Sequence, residues 1–155
     1  FHFWEMSISN KGVCVFLGEF HHTVDDKGRI VLPSKFRDLL LRGAIVSKGD
    51  GCLFVYTAEE FTDVAAGLRE KSKTSKAARE AARSFFAGAT DVTPDKQGRL
   101  TIPQSLRNYA NLGKEVTVLG VYSRIEIWDA ETWEQRQLSG DASLADIETL
   151  PDIGI

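Results

Sequence analysis

The sequence has little cysteine and little histidine: of its 155 residues, 2 are Cys and 3 are His. Cys14 and Cys52 form no CxxC pair and have no His at metal-ligand spacing, so neither a disulfide framework nor a metal site is predicted. GxSxG and GxxxxGK[ST] motifs are absent, and the neighbouring His21 and His22 would point to opposite faces of a strand. These absences argue against an enzyme, a bound cofactor and a small-molecule substrate.

Long apolar runs are also missing. No stretch reaches the roughly 18 apolar residues that span a bilayer, and the N-terminal residues lack the pattern of a secretion signal. The composition, 43% hydrophobic and 26% charged, is typical of a globular protein. We therefore expect a soluble, cytoplasmic protein with no membrane partner.

A strong excess of one charge is missing as well, because the chain has 22 acidic and 19 basic residues and a net charge of −3. That balance argues against coating of nucleic acid by bulk charge. The charge is unevenly distributed, however. Residues 126–155 carry a net −7, which leaves +4 on residues 1–125. A mildly basic body thus remains compatible with a selective anionic partner.

The chain contains an internal repeat. Residues 25–33 align with residues 95–103 at an offset of 70, and after a two-residue insertion around 112–114 the offset becomes 72. Two copies of one unit are therefore expected. The equivalent pairs are Asp25 and Asp95, Gly28 and Gly98, Arg29 and Arg99, Pro33 and Pro103, and Arg37 and Arg107.

Each copy is predicted to hold two short hairpins separated by a short helix. Asp at the first position and Gly at the fourth favour a type I turn within the first hairpin, and Pro-Ser favours a helix start after it. A unit of about 60 residues buries too little surface to be stable alone, so the two copies should pack into one closed or nearly closed small barrel. In the first copy the strands are expected at 20–24, 29–32, 44–47 and 52–56.

Two longer helices and a tail complete the predicted elements. Thr57-x-x-Glu60 is a capping-box pattern at the start of an apolar helical stripe, and a further helix is expected from about Ser75 to Ala87. Phe85 and Phe86 in that helix favour a core position over a base-stacking one. From about Gln137 onward, Gly, Ser and Asp indicate a loose tail.

The duplicated D-x-x-x-R motifs, at 25–29 and 95–99, and the Leu32-Pro33 and Ile102-Pro103 pairs closely resemble the MraZ family. The match begins at Val15-Phe16 and runs to about Arg136. It implies an α+β, mainly β fold: two tandem AbrB-like (SpoVT-AbrB) swapped-hairpin units forming a double-split small β-barrel with peripheral helices. It also implies a bacterial, nucleoid-associated DNA-binding transcriptional regulator or repressor of the division and cell-wall gene cluster, including its own promoter.

The resemblance also divides the chain. We expect a non-family extension at 1–14, a first AbrB-like repeat at 15–70, a linking helix at 71–87, a second repeat at 88–136 and an acidic flexible tail at 137–155. A GTG start codon read through as Val15 would explain the extension, and the intact mass of protein expressed from its own locus would test this.

The resemblance places Arg29 and Arg99 in contact with double-stranded DNA. Each follows a glycine-containing turn, from which a guanidinium can donate to phosphate or bidentately to guanine. The alternative is that each arginine only braces its turn by pairing with Asp25 or Asp95. Those two aspartates, with Gly28 and Gly98, are expected to shape the turns. Non-specific phosphate contacts are predicted for Lys27, Lys35, Arg37, Lys96 and Arg107.

Few basic contacts per subunit suit a multivalent assembly, and the resemblance implies a ring-shaped homo-oligomer that binds repeated promoter sites. Two rival hypotheses remain at this point. One is a non-enzymatic protein-binding module, an antitoxin-like or scaffold protein. The other places DNA on a basic surface between the repeats, formed by Arg69, Lys71, Lys73, Lys76, Arg79 and Arg83.

Overall fold

The computed structural model describes residues 15–147, so the expected extension at 1–14 lies outside the described residues. This part of the chain contains eight strands and five α-helices. Their order is β1 (Phe16–Thr23), β2 (Arg29–Val31), α1 (Ser34–Arg37) continued by a 3₁₀ turn (Asp38–Leu40), β3 (Ala44–Lys48), β4 (Leu53–Tyr56), α2 (Ala58–Ser72), α3 (Lys76–Gly88), β5 (Thr90–Val92), β6 (Arg99–Thr101), α4 (Gln104–Tyr109), β7 (Glu115–Tyr122), β8 (Ile125–Asp129) and α5 (Ala130–Ala145).

The strands form two antiparallel sheets. The larger has the order β1-β7-β8-β4-β3-β5, and the smaller is a ribbon of β2 and β6. The expected α+β class is confirmed, although more of the described residues lie in helices than in strands, and the arrangement is consistent with two tandem AbrB-like units. Within residues 15–147, β1 and β5 are the two edge strands of the larger sheet.

The first hairpin of each copy differs from the expectation. β1 pairs along its whole length with β7, and β2 pairs with β6 from the other copy. Beyond the hydrogen bonds of the turn itself, the strand pairing described between its two sides is an isolated bridge of Val24 with Ile30. A three-residue strand buries little by folding back locally, whereas exchange of partners brings Ile30 and Leu100 side by side into one interior. The second hairpins, β3–β4 and β7–β8, form as predicted.

Both copies contribute to the larger of two hydrophobic clusters, and a smaller one surrounds Cys52, Leu119 and Trp128. Burial of each large apolar side chain stabilises the fold by about 1.5–3 kcal/mol, so the copies depend on each other for most of their stability. The equivalent pairs of buried residues are Ile30 and Leu100, Leu32 and Ile102, Phe36 and Leu106, Leu40 and Ala110, Ala44 and Val116, Val46 and Val118, Leu53 and Ile125, and Val55 and Ile127.

Helices α2 and α3 form a hairpin on the outside of the sheet. Thr57 Oγ1 accepts a hydrogen bond from Glu60 N at 3.2 Å, and Ser75 Oγ caps α3 by accepting one from Ala78 N at 3.1 Å. The Phe85 ring stacks on Phe61 at a centroid separation of 5.6 Å, but Phe85 is only partly buried and lies outside the core expected for it. No helix among residues 15–147 is long and apolar enough to cross a membrane.

Helix α5 corrects the expectation of a loose tail from about Gln137. The Asp129 carboxylate caps its first turn, accepting from Thr132 N at 3.3 Å, and the helix continues to Ala145. Once a helix is nucleated, each added residue contributes a backbone hydrogen bond, and Leu138, Ala142 and Ala145 favour propagation past Gly140. The remaining residues of the expected tail, 148–155, lie outside the described residues.

Candidate nucleic-acid interface

The first D-x-x-x-R turn is closed by its own backbone and by one carboxylate. Gly28 N donates to Asp25 O and Asp25 N donates to Arg29 O, each at 3.0 Å. Asp25 Oδ1 accepts from Lys27 N and Arg29 N, each at 2.9 Å. Gly28 has a φ of +77°, a left-handed conformation that side chains with a Cβ adopt only at a cost. These contacts shape the turn and set the direction in which the next residue leaves it.

The second turn repeats this geometry. Asp95 Oδ1 accepts from Gln97 N and Arg99 N, each at 2.9 Å, and Gly98 has a φ of +75°. Gln97 stands where the first turn has Lys27. Two independent stretches of sequence therefore build the same local structure around the same three residue types.

Each motif arginine is paired with its motif aspartate. Arg29 Nε donates to Asp25 Oδ2 at 2.6 Å, and Arg99 Nε donates to Asp95 Oδ2 at 2.7 Å. The side chains of Arg29 and Arg99 are 26% and 24% exposed. In the described chain their terminal nitrogens make no hydrogen bond, so each guanidinium is held at Nε and retains donors for a ligand. The bracing pair is thus present, and contact with DNA stays a prediction.

The same contacts keep the aspartates ionised. The hydrogen bond from the Arg29 backbone N–H, helped by that from its side chain, lowers the pKa of Asp25 below the ordinary value, and Arg99 lowers the pKa of Asp95 in the same way. The two turns therefore carry paired charges at neutral pH, and each arginine's position is coupled to an anion within its own turn.

Pairing of β2 with β6 places both arginines on one surface. Arg29 lies opposite Thr101, and Val31 lies opposite Arg99. Ile30 and Leu100, between them, are fully buried. Since side chains alternate along a strand, Arg29, Val31, Arg99 and Thr101 all lie on the outer face of the ribbon. The ribbon face, as we call these four residues, joins the candidate residues of the two repeats.

Arg37 and Arg107 lie at the base of the turns and have backbone partners. Arg37 Nε donates to Leu32 O at 3.2 Å, and Arg107 Nε donates to Ile102 O at 2.9 Å. Each guanidinium covers the turn glycine of the other repeat: a Cβ added to Gly28 would lie 2.7 Å from Arg107 Cζ, and one added to Gly98 would collide with Arg37. Their predicted role in phosphate contact is untested, and half-buried side chains with one committed nitrogen have fewer donors to offer.

The predicted lysines are exposed around the ribbon face. Lys27 and Lys96 lie within the two turns, and Lys35 lies on α1. The Lys35 ammonium is 5.4 Å from the centre of the Phe20 ring. Lys27 and Lys96 precede Arg29 and Arg99 by two and three residues, and phosphate contact stays a prediction for all three lysines.

The rival basic surface on α2 and α3 is partly neutralised. Lys73 pairs with Glu70 at 3.0 Å, Arg83 pairs with Glu80 at 2.8 Å, and Arg79 donates to Ser72 O at 3.0 Å. These are exposed contacts, of the kind that contribute little to stability. They are typical of solvated helix faces, and the surface lacks the paired geometry of the ribbon face.

The turn signals alone missed the partner exchange, which the resemblance to swapped-hairpin units had implied. The contacts of Arg37 and Arg107 with the opposite glycines were not predicted. The repeat signalled that Arg37 and Arg107 are equivalent, as are Gly28 and Gly98. It did not signal that the arginine of one repeat would pack on the glycine of the other, because the contact depends on the β2–β6 pairing.

Comparison with known proteins identifies the family of the chain. A family model described as "MraZ protein, putative antitoxin-like" matches twice, over residues 15–84 and 85–149. The chain is 48% identical over 135 residues to a protein of Salinispora arenicola named "Transcriptional regulator MraZ", a match that covers 86% of this chain and 95% of the relative. It is 47% identical, with the same coverage, to a protein of the same name from Salinispora tropica. The chain therefore belongs to the MraZ family of transcriptional regulators.

Proposed function

We propose that this chain regulates transcription by inserting the ribbon face into the major groove of double-stranded DNA. The observation that carries the proposal is the β2–β6 register, which aligns Arg29 and Arg99 on the solvent side of a two-stranded ribbon. The major groove of B-DNA is wide enough to admit such a ribbon. Arginine is the residue best suited to donate bidentately to guanine or to phosphate.

The two arginines would supply the base or close phosphate contacts, and their neighbours the outer ones. Because Nε of Arg29 and Arg99 is held by an aspartate, the terminal nitrogens are oriented before DNA arrives, and less conformational freedom is lost on binding. Lys27, Lys35 and Lys96 are exposed and would add sequence-independent attraction to phosphates.

Assembly would compensate for the small number of contacts per subunit. Two arginines on a chain of net charge −3 give weak binding alone, whereas several ribbon faces in one ring-shaped homo-oligomer raise the effective concentration at repeated short sites. The sites we propose lie in the promoter of the division and cell-wall cluster that includes the gene itself. The protein would act in the cytoplasm, associated with the nucleoid, and would perform no enzymatic step.

An electrophoretic shift on that promoter tests the proposal. The variants are Arg29→Ala, Arg99→Ala and their combination, with Arg69→Ala plus Arg83→Ala as a charge-matched control on α2 and α3. Each lost bidentate contact is worth about 1–3 kcal/mol, so each single variant should bind tens-fold more weakly and the double variant should give no shift. The control should bind within about threefold of the wild type, since exposed charges far from the contact act only through screened attraction.

Circular dichroism and subunit mass must show that the double variant remains folded and assembled. Unchanged binding by such a variant contradicts the ribbon face as the binding site. Loss of binding in the Arg69, Arg83 control alone would instead favour the helical surface.

A further inference from the structure

We infer that Arg37 and Arg107 are positioning residues that act across the repeat boundary: Arg107 holds the turn that carries Arg29, and Arg37 holds the turn that carries Arg99. The inference rests on the proposed role of Arg29 and Arg99 in binding DNA. It assigns Arg37 and Arg107 a role that is distinct from contact with phosphate.

The first observation is a chain of hydrogen bonds that connects each arginine to the opposite turn. Leu32 accepts from Arg37 Nε at 3.2 Å and donates its N–H to Gly98 O at 2.9 Å. In the mirror arrangement, Ile102 accepts from Arg107 Nε at 2.9 Å and donates to Gly28 O at 2.8 Å. One residue thus joins each arginine to the glycine of the other repeat.

The second observation is the direct approach of the guanidinium groups to those glycines. A Cβ on Gly28 would lie 2.7 Å from Arg107 Cζ, 2.8 Å from one terminal nitrogen and 2.9 Å from Nε, so the planar group covers the glycine broadly. Arg37 covers Gly98 with Nε, Cδ and Cζ. A flat, delocalised and weakly hydrated guanidinium is suited to packing on a backbone in this way, and an ammonium group is not.

Because each of these glycines directly precedes a motif arginine, a contact with the glycine also affects that arginine. Gly28 directly precedes Arg29 and Gly98 directly precedes Arg99, and both have left-handed φ values. Any change in the glycine's backbone therefore rotates the strand start from which the motif arginine projects. Arg37 and Arg107 are half-buried, and the Nε of each already donates to a backbone carbonyl. Their main effect on DNA binding is therefore exerted through the motif arginine of the other repeat.

The crossed arrangement makes a specific prediction for double-variant cycles. Arg107→Gln should weaken DNA binding about tenfold in the wild type and in the Arg99→Ala background. It should have little further effect when Arg29 is already Ala. Arg37→Gln should show the opposite dependence, with its effect lost in the Arg99→Ala background. Lys76→Gln, an exposed change on α3, is the control and should leave affinity within about twofold in every background.

Conservative replacement and salt dependence separate positioning from phosphate contact. Arg107→Lys and Arg37→Lys keep the charge but lose the planar group, so each should bind about as weakly as its Gln variant. The slope of log affinity against log salt should be unchanged. A phosphate contact would instead be largely retained by Lys, and its loss in the Gln variant would reduce the slope by about 0.9. Either of those two results overturns the inference.

A measurement without DNA tests the contact itself. In amide NMR spectra of the full chain, Arg107→Lys should shift the Gly28 and Arg29 signals and accelerate their hydrogen exchange more than those of Gly98 and Arg99. Arg37→Lys should do the reverse. Changes confined to the variant's own repeat overturn the inference. Crossed changes in a protein that does not bind the promoter support the positioning contact and count against the proposed function alone.

Discussion

The two repeats are most alike in the D-x-x-x-R turns that lead into the ribbon. They differ most in the first strand of each copy, β1 and β5. The carboxylate contacts in the first and second turns match within 0.1 Å. In contrast, β1 has eight residues and pairs with β7, whereas its counterpart β5 has three and pairs with β3. The turn requires only Asp, Gly and Arg at fixed spacing, so it survives in duplicate while the surrounding elements diverge.

The second hairpins also differ, within a common backbone. Phe54 lies opposite Glu126 across β4 and β8, and these two positions are equivalent at the offset of 72. The Arg124 guanidinium lies 4.3 Å from the centre of the Phe54 ring while it pairs with Glu126. A hydrophobic side chain in one repeat therefore packs against a charged pair in the other, and equivalent positions are not interchangeable.

The largest expected difference between the repeats is in the stability lost when equivalent core side chains are truncated. Phe36 and Leu106 are 1% and 2% exposed, but only Phe36 makes two edge-to-face ring contacts, with Phe16 and Phe20 at 5.2 Å. We expect Phe36→Ala to lower the free energy of unfolding by about 3–5 kcal/mol and Leu106→Ala by less, because the deleted volume and ring contacts are greater. Urea unfolding at one fixed protein concentration measures both.

Leu138→Ala provides the control for that pair, because Leu138 is 73% exposed and its truncation should change stability by under about 0.5 kcal/mol. An equal or larger loss for Leu106→Ala than for Phe36→Ala would show that the second repeat dominates the core.

Truncation of Glu126 should have an intermediate effect. Glu126 is 8% exposed, accepts from Arg124 at 2.7 and 2.9 Å and from Trp128 Nε1 at 2.9 Å. Glu126→Ala leaves both donors without this partner, so we expect a loss of about 1–3 kcal/mol in unfolding experiments, with a change in tryptophan fluorescence.

The matched comparison for Glu126 is Glu80→Ala, which removes the exposed pair with Arg83 and should cost under about 1 kcal/mol. If both variants lose the same stability, the buried network has no special importance and the two hairpins are more alike than their side chains indicate.

The smallest expected difference concerns the pH response of β1. His22 stands where β5 has Val92, and its pKa is lowered from 6.5, first by partial burial and then by the charges of His21 and Arg37. The folded chain therefore binds this proton less readily than the unfolded chain. The contribution to stability is present above pH 6.5 and is lost as the pH falls through the folded pKa.

NMR titration of the His22 ring should give a pKa below 6.5 in the wild type, and Arg37→Gln should raise it part of the way because burial remains. His22→Val, which copies the second repeat, should remove this contribution to the acid sensitivity of unfolding. A wild-type pKa of 6.5 or above would contradict the partial burial of His22 beside the charges of His21 and Arg37.

Local patterns in the sequence predicted local structure well. Asp25 and Gly28 predicted a turn, Pro33 and Ser34 a helix start, and Thr57 a cap, because each acts within a few residues. The same patterns gave the wrong partner for β2. A turn fixes the direction of the chain but does not decide whether hydrogen bonds form with the preceding strand or with a strand 70 residues away.

The candidate site was predictable in its parts and not in its arrangement. Duplication singled out Arg29 and Arg99, whereas their common surface depends on the β2–β6 register. The packing of Arg37 on Gly98 depends on the same long-range pairing. The extent of α5 was missed for another reason: the Gly, Ser and Asp content from about Gln137 suggested a loose tail, but helix propagation outweighs a few unfavourable residues.

The pairing of β2 with β6 also determines when, during synthesis, the ribbon face can form. Because Arg29 lies opposite Thr101, the surface that joins the arginines forms only after a loop of about 70 residues closes, a slow event compared with local helix formation. During synthesis, the first turn leaves the ribosome long before its partner strand exists. A nascent or truncated first repeat therefore has no complete ribbon, and the DNA-binding surface we propose forms late in translation, as one event for both repeats.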